Sequence, residues 1–129
     1  MKILQVVHGF LPEFRGGSEL YVDRLCRALR AHGHESAIFC GSNVPAGEDS
    51  LEEDLVDGLR VFRVHRRAHF VEEWQRSFSP AVEDLFRSFL EGDRPDVVHL
   101  HHWKRLSRRL AATARALDVP VVLTFHDLF

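Results

Sequence analysis

The sequence predicts an α/β fold: one domain over residues 1–129, a three-layer αβα sandwich around a parallel sheet with strand order 3-2-1-4-5. Two observations carry this. Short runs of β-branched and other apolar residues recur along the chain without strict alternation, as in strands covered on both faces. Stretches with apolar residues at helical spacing separate most of these runs. A doubly wound sheet grows outward from its first strand in both directions, which gives the order.

Ile3-Leu4-Gln5-Val6-Val7 is the first strand. A loop then leads to Gly16-Gly17, where a helix begins with Leu20, Tyr21, Leu25, Ala28 and Leu29 as its apolar positions. Ser18 is its expected N-cap, and Gly33 falls where a left-handed cap ends a helix. Residues 35–40 form the second strand, ending at Gly41-Ser42-Asn43. Residues 44–58 carry Glu48, Asp49, Glu52, Glu53, Asp54 and Asp57 and no cation, so they are expected to form a mobile, solvated loop.

Residues 59–64 are the third strand, with Arg60, Arg63, Arg66 and Arg67 as a basic patch. Phe70, Val71, Trp74 and Phe78 fit one helical face, and Ser79-Pro80 starts a further helix with Val82, Leu85, Phe86 and Phe89 inward. Asp93-Arg94-Pro95 ends it. Residues 96–101 are the fourth strand, and 103–117 a third helical region striped by Leu106, Leu110, Ala114 and Leu117. Residues 119–125 are the fifth strand, leading into His126-Asp127.

Composition narrows the function. The net charge of −2 implies no nucleic-acid partner. Cys26 and Cys40 form no CxxC and no framework of pairs, so reduced, buried thiols are expected. No apolar run approaches membrane-spanning length, and the first strand starts at once without a signal peptide, so the expected compartment is the cytoplasm.

In an open sheet of this order, ligands bind beyond the carboxyl ends of the strands where the order reverses. Three polar clusters are delivered there: Gly16-Gly17-Ser18 at a helix start, His99-His101-His102 after the fourth strand, and His126-Asp127 after the fifth. Free N–H groups and the positive end of the helix dipole suit an anion, and glycine lets it approach the backbone. The alternative is that the glycines only make a turn. His99 and His101 share one strand face, so with His126 or Asp127 they could hold a metal and serve a metal-dependent hydrolase. In the structural reading, His99 bonds a neighbouring backbone group and His101 or His102 caps a helix. His126 ends an apolar strand, precedes an acid and neighbours the anion site, so it is read as the catalytic residue, bonding a hydroxyl or a phosphate. There is no P-loop, dinucleotide fingerprint or nucleophile elbow.

Several pieces, in this order, resemble the amino-terminal half of a GT-B glycosyltransferase of the family-4 type. They are Met1-Lys2-Ile3-Leu4-Gln5-Val6, Phe10-Leu11-Pro12, Gly16-Gly17-Ser18-Glu19, Leu25 through Leu29, Gly33-His34-Glu35, Asp96-Val97-Val98-His99-Leu100-His101 and Thr124-Phe125-His126-Asp127. They span nearly the whole chain. The resemblance implies two Rossmann-like domains around a cleft, the first receiving the acceptor and the second holding most of a nucleotide-sugar. It implies a hexosyl transfer with retention of anomeric configuration, with no metal and no cofactor beyond the nucleotide-sugar donor. Gly16 and Gly17 would face the donor diphosphate, His126 the transferred sugar or the acceptor, with Ser18, His101 and Asp127 as further substrate contacts. The carboxy-terminal donor domain is not in this chain, which is therefore expected to be a fragment inactive alone. The acceptor would be a glycan or a lipid-linked molecule. Arg66, Arg67, Phe70, Trp74 and Phe78 then have two readings, a packed helix with a basic edge or a peripheral face at the inner side of a membrane. A non-catalytic sugar- or nucleotide-binding module is the remaining alternative.

Overall fold

A computed structural model describes residues 1–67 and 78–126. The elements are β1 (Lys2–Val7), α1 (Gly17–Ala31), β2 (Glu35–Gly41), β3 (Ser50–Val56), β4 (Leu59–His65), α2 (Pro80–Asp93), β5 (Val97–Leu100), α3 (Leu110–Ala116) and β6 (Val121–Leu123). They build a six-stranded sheet of order β3-β4-β2-β1-β5-β6. All neighbours are parallel except β3 and β4. The five expected strands keep their expected order, and β3 is added at one edge.

The sheet separates two apolar clusters, which makes three layers. On one face Val22 and Cys26 of α1 pack on Val7, Ile38, Cys40, Leu59 and Val61. On the other, Val82, Phe86 and Leu90 of α2 and Leu110 and Ala114 of α3 cover Leu4, Val6, Phe39, Phe62, Val64 and Val98. β1 and β2 bury nearly every side chain because both of their faces are covered.

The expected boundaries of α2 hold for local reasons. The Ser79 hydroxyl accepts from the Val82 N–H, Pro80 occupies the first turn, and Arg94 ends the helix in a left-handed conformation. At α1 the start differs. Gly16 is the N-cap, no side chain caps it, and Ser18 lies inside the first turn. Its buried face is Glu19, Val22 and Cys26, while Tyr21 and Ala28 are exposed and Leu20, Leu25 and Leu29 half-buried. Gly33 adopts φ +85° just past the helix, as a left-handed cap requires. The third helical region is shorter than expected: α3 covers only 110–116, although Leu106, Leu110 and Ala114 are buried as the stripe required.

The largest correction concerns residues 44–58. Ser50–Val56 is a strand, antiparallel to β4, not a mobile loop. Its acids meet side chains of β4, two of them arginines from the expected basic patch. Glu53 pairs with Arg60 at 3.1 Å, Asp54 with Arg63 at 3.3 Å and Glu52 with His65 at 3.6 Å. The patch therefore does not exist as such, because Arg63 is buried and Arg66 reaches the Ser79 hydroxyl. Of the proposed apolar face, Phe78 is exposed, and Phe70, Val71 and Trp74 lie outside the described residues. Among the described residues no helix is long and apolar enough to cross a membrane.

Both cysteines are free and buried, as expected. Burial raises the Cys26 thiol to about 11 and the Cys40 thiol to about 12, so both are protonated and inert near neutral pH.

Candidate functional site

The site is built on β1, whose C-terminal end releases the chain into the loop that starts α1. That loop is held from below. The buried Arg63 guanidinium of β4 donates to the carbonyl oxygens of Phe10, at 3.3 Å, and Leu11, while Phe10 is fully buried. Glu13 accepts from the Ser42 hydroxyl at 2.8 Å and from the Asn43 N–H at 3.2 Å. Gly41 lets the strand end approach closely, since a Cβ there would stand 2.7 Å from the His8 carbonyl oxygen. These ties place Gly16 and Gly17.

The two glycines differ. A Cβ on Gly16 would meet the Glu19 carboxylate at 2.6 Å, whereas one on Gly17 would meet nothing within 4 Å. Glu19 is buried and paired to His8 Nε2 at 2.6 Å. Its carboxylate faces His8 and lines the cleft at the helix start, while the Gly17 side stays open. His8, Gly16, Gly17, Ser18, Glu19 and His126 together line a cleft of ≈ 450 Å³. Gly17 and His126, 109 positions apart in sequence by their numbers, thus share one rim. Asp127 lies outside the described residues.

Behind the cleft stands a row of imidazoles on one sheet face. His99 and His101 have ring centroids 4.0 Å apart, and His101 stacks on His126 at 5.2 Å. His99 Nε2 bonds the Thr124 hydroxyl at 2.7 Å, a side chain rather than the backbone group expected. His101 is buried and caps no helix. Its Nε2 bonds Gln5 Oε1 at 2.7 Å and its Nδ1 bonds His126 Nε2 at 3.0 Å. His102 accepts from the Lys104 N–H, closing a turn. Tyr21 of α1 covers the row, edge-on to His126 at 5.0 Å and to His101 at 5.9 Å. Gln5, His8, Glu19 and Tyr21 are site residues the sequence reading missed. Gln5 looked like one more strand residue, and only its register opposite His99 across β1 and β5 brings it to the row.

Among the described residues no group of three His, Cys, Asp or Glu side chains is placed to hold a metal. The ring nitrogens of His101 are both taken by protein partners, which leaves that imidazole no lone pair for a cation.

Burial, then the neighbouring His99 and His126 rings, lower His101 from its ordinary 6.5 to about 3. His99 is lowered too, by burial first and His126 second. These shifts set the sign of the acid response. In the unfolded chain His101 takes a proton near pH 6.5, while in the fold it resists until about pH 3. Stability therefore rises with pH through that window and is lost as pH falls from 6.5 towards 3. We expect His101→Asn to flatten the dependence of the urea midpoint on pH between 6.5 and 4.5. The lost slope should approach one proton, about 1.4 kcal/mol per pH unit. Parallel curves for the two proteins would refute the assignment.

A model of the glycosyl transferase 4-like domain matches residues 16–129. The chain is 30% identical over 141 residues to a glycogen synthase of Mycobacterium tuberculosis, an alignment covering 98% of this chain and 33% of that protein. It is 31% identical over 112 residues to the phosphatidyl-myo-inositol mannosyltransferase of Mycobacterium leprae, covering 86% and 28%. Among solved structures, the fold is shared with the catalytic domain of starch synthase IV from Arabidopsis thaliana bound to ADP and acarbose. That match has a TM-score of 0.66 and 20% identity, covering 97% of this chain and 34% of that one. The chain thus spans about a third of the length of the relatives it matches.

Proposed function

The chain belongs to the glycosyl transferase 4-like domain family, and from that premise we propose that it is the acceptor-side domain of a retaining hexosyltransferase. The full protein would move a sugar from a nucleotide-sugar donor to a glycan or lipid-linked acceptor. It would use a second, donor-binding domain that closes the cleft, and neither a metal nor a further cofactor. The observation that carries this reading is the sharing of one cleft by the open Gly17 helix start and His126.

The chemistry follows from charge. Breaking the bond between sugar and diphosphate leaves negative charge on the diphosphate. The N–H groups and dipole at the start of α1, approached over Gly17, stabilise that charge where it develops. His126, on the far side of the same cleft, bonds a hydroxyl of the sugar or acceptor. The chain alone supplies half of such a cleft, and we expect it not to catalyse transfer. Sustained turnover by residues 1–129 without a second domain would overturn this division of labour. The proposed compartment is the cytoplasm, where nucleotide-sugars are made and buried thiols such as Cys26 and Cys40 stay reduced. A peripheral contact with anionic lipid belongs to the same proposal, and since Arg66 is half-buried and reaches Ser79, the exposed Arg67 would carry it. Co-sedimentation no stronger with anionic than with neutral vesicles would remove it.

Gly17→Ala tests the anion site. No atom lies within 4 Å of the new methyl, so the melting temperature should stay unchanged. In the full-length protein the methyl projects into the path of the diphosphate, and the donor KM should rise about tenfold, the loss of one good contact. An unaltered KM would remove Gly17 from the donor site.

A further inference from the structure

We propose that Gln5 and His101 are positioning residues that fix the tautomer of His126 and thereby decide which ligand group it accepts. The inference rests on the reading of His126 as a cleft residue and deepens it. Gln5 is fully buried on the central strand β1, and its Oε1, 2.7 Å from His101 Nε2, can only accept. His101 Nε2 therefore carries the hydrogen. A neutral imidazole has one N–H, so His101 Nδ1 is a bare lone pair. His126 Nε2 stands 3.0 Å from that lone pair and must be the donor. In the neutral His126 ring Nδ1 is then bare, and it has no hydrogen-bond partner among the described residues.

The consequence is chemical. A bare Nδ1 repels an unprotonated phosphate oxygen and welcomes a hydroxyl hydrogen. The row makes His126 an acceptor for a sugar hydroxyl and assigns the anion to the Gly17 helix start alone. Among the described residues, the groups against His101 are Gln5, His99, Tyr21 and His126. His99 lies beside His101 on the strand, Thr124 bonds His99, and Tyr21 covers His101 and His126 from α1. None of these is a carboxylate that would draw a second proton onto His101. The depressed proton affinity of His101 agrees with this. The opposite orientation of the Gln5 amide would make Gln5 the donor and reverse both rings. That arrangement is the competing prediction.

Nitrogen-15 NMR of the histidine rings at pH 7.5 separates the two. In the full-length protein labelled at histidine, His101 and His126 should both show a protonated Nε2 and a bare Nδ1. A bare Nε2 on His126 overturns the proposal. Gln5→Leu should release the constraint and give His126 a mixture of tautomers, and an unchanged His126 tautomer there also overturns it. Turnover gives the second readout. His101→Leu should lower kcat about 10- to 100-fold, the scale for outer partners that orient a functional imidazole. His101→Asn, which offers a carbonyl oxygen to His126 Nε2–H, should restore most of it, with the donor KM near wild type throughout. Equal losses in both variants would mark a packing role and refute positioning. Should His126→Ala retain ordinary turnover, the reading of the cleft fails while the ring tautomers stand, so the two failures are distinguishable.

Discussion

Replacing His126 with alanine in the full-length protein is expected to lower kcat by about 10²- to 10³-fold and to leave the fold intact. The fold should survive because His126 is half-buried, lies beyond the end of β6 and anchors no helix. Its removal deletes one hydrogen bond to His101 and ring contacts with His101 and Tyr21, and water from the cleft can satisfy His101 Nδ1. In the proposed reaction the activity should fall because His126, which shares the cleft with Gly17, would fix the sugar relative to the diphosphate. A small misplacement of the reacting carbon against its leaving group costs much of the orientation that binding provides. The loss should therefore appear in kcat more than in the donor KM, since the proposed diphosphate site at Gly17 is untouched by the substitution. His126→Gln, which retains an acceptor, should fall between the two. Thermal denaturation beside the kinetics separates the cases: a normal melting curve with near-normal turnover would remove His126 from the reaction.

The parts of this molecule that could be read from its sequence are those decided by neighbours in the chain. Ser79 and Pro80 announce the start of α2 because the cap bond spans three residues. Gly33 announces the end of α1 because only a left-handed backbone closes it there. The continuous apolar runs at Ile3 and Ile38 announce strands covered on both faces, and those two faces are the two apolar clusters. Once the first and fourth strands are adjacent, the chain has no choice about where Gly17 and His126 go. The rim was therefore visible before any coordinates, although the two glycines looked equivalent and only one is open.

What could not be read depends on partners far away. Glu52, Glu53 and Asp54 looked like a solvated run because charge in isolation prefers water. They form a strand because His65, Arg60 and Arg63 stand opposite on β4, a match between two charge patterns rather than a property of either. Ser18 has the right chemistry for a cap, yet Gly16 takes the extended conformation one step earlier and the helix begins there. Gln5 gave no signal at all. A polar residue inside an apolar strand shows its purpose only through His101, whose position is set by the packing of β5 on β1.

Arg63 carries the second large effect. It is 3 % exposed, and its guanidinium joins the Phe10 and Leu11 carbonyl oxygens to Asp54 on the edge strand. Methionine matches the stem but donates nothing. Arg63→Met takes the guanidinium from two loop carbonyls, of which Phe10 keeps the Phe14 N–H at 3.1 Å and Leu11 is half-buried, and releases Asp54 to solvent. Asp54 is 43% exposed and recovers water, so the ion pair itself contributes little. The Phe10 carbonyl oxygen loses its charged donor inside the core, and a hydrogen bond to a charged donor is worth about 1.5–3 kcal/mol. The expected loss is therefore about 1.5–3 kcal/mol, measured as a fall in the urea midpoint at constant m-value. Arg63→Lys should recover only part, because an ammonium cannot reach both carbonyls and the carboxylate in one plane. The effect should also reach the cleft. Phe10 and Leu11 lie midway between β1 and the Gly16 turn, so a loosened loop shifts Gly17 against His126. If Gly17 forms the proposed donor site, the Arg63→Met protein should show a raised donor KM below its own unfolding transition. A variant destabilised to this degree with an unchanged KM would mean that the glycine turn is held by Glu13 and Gly41 alone.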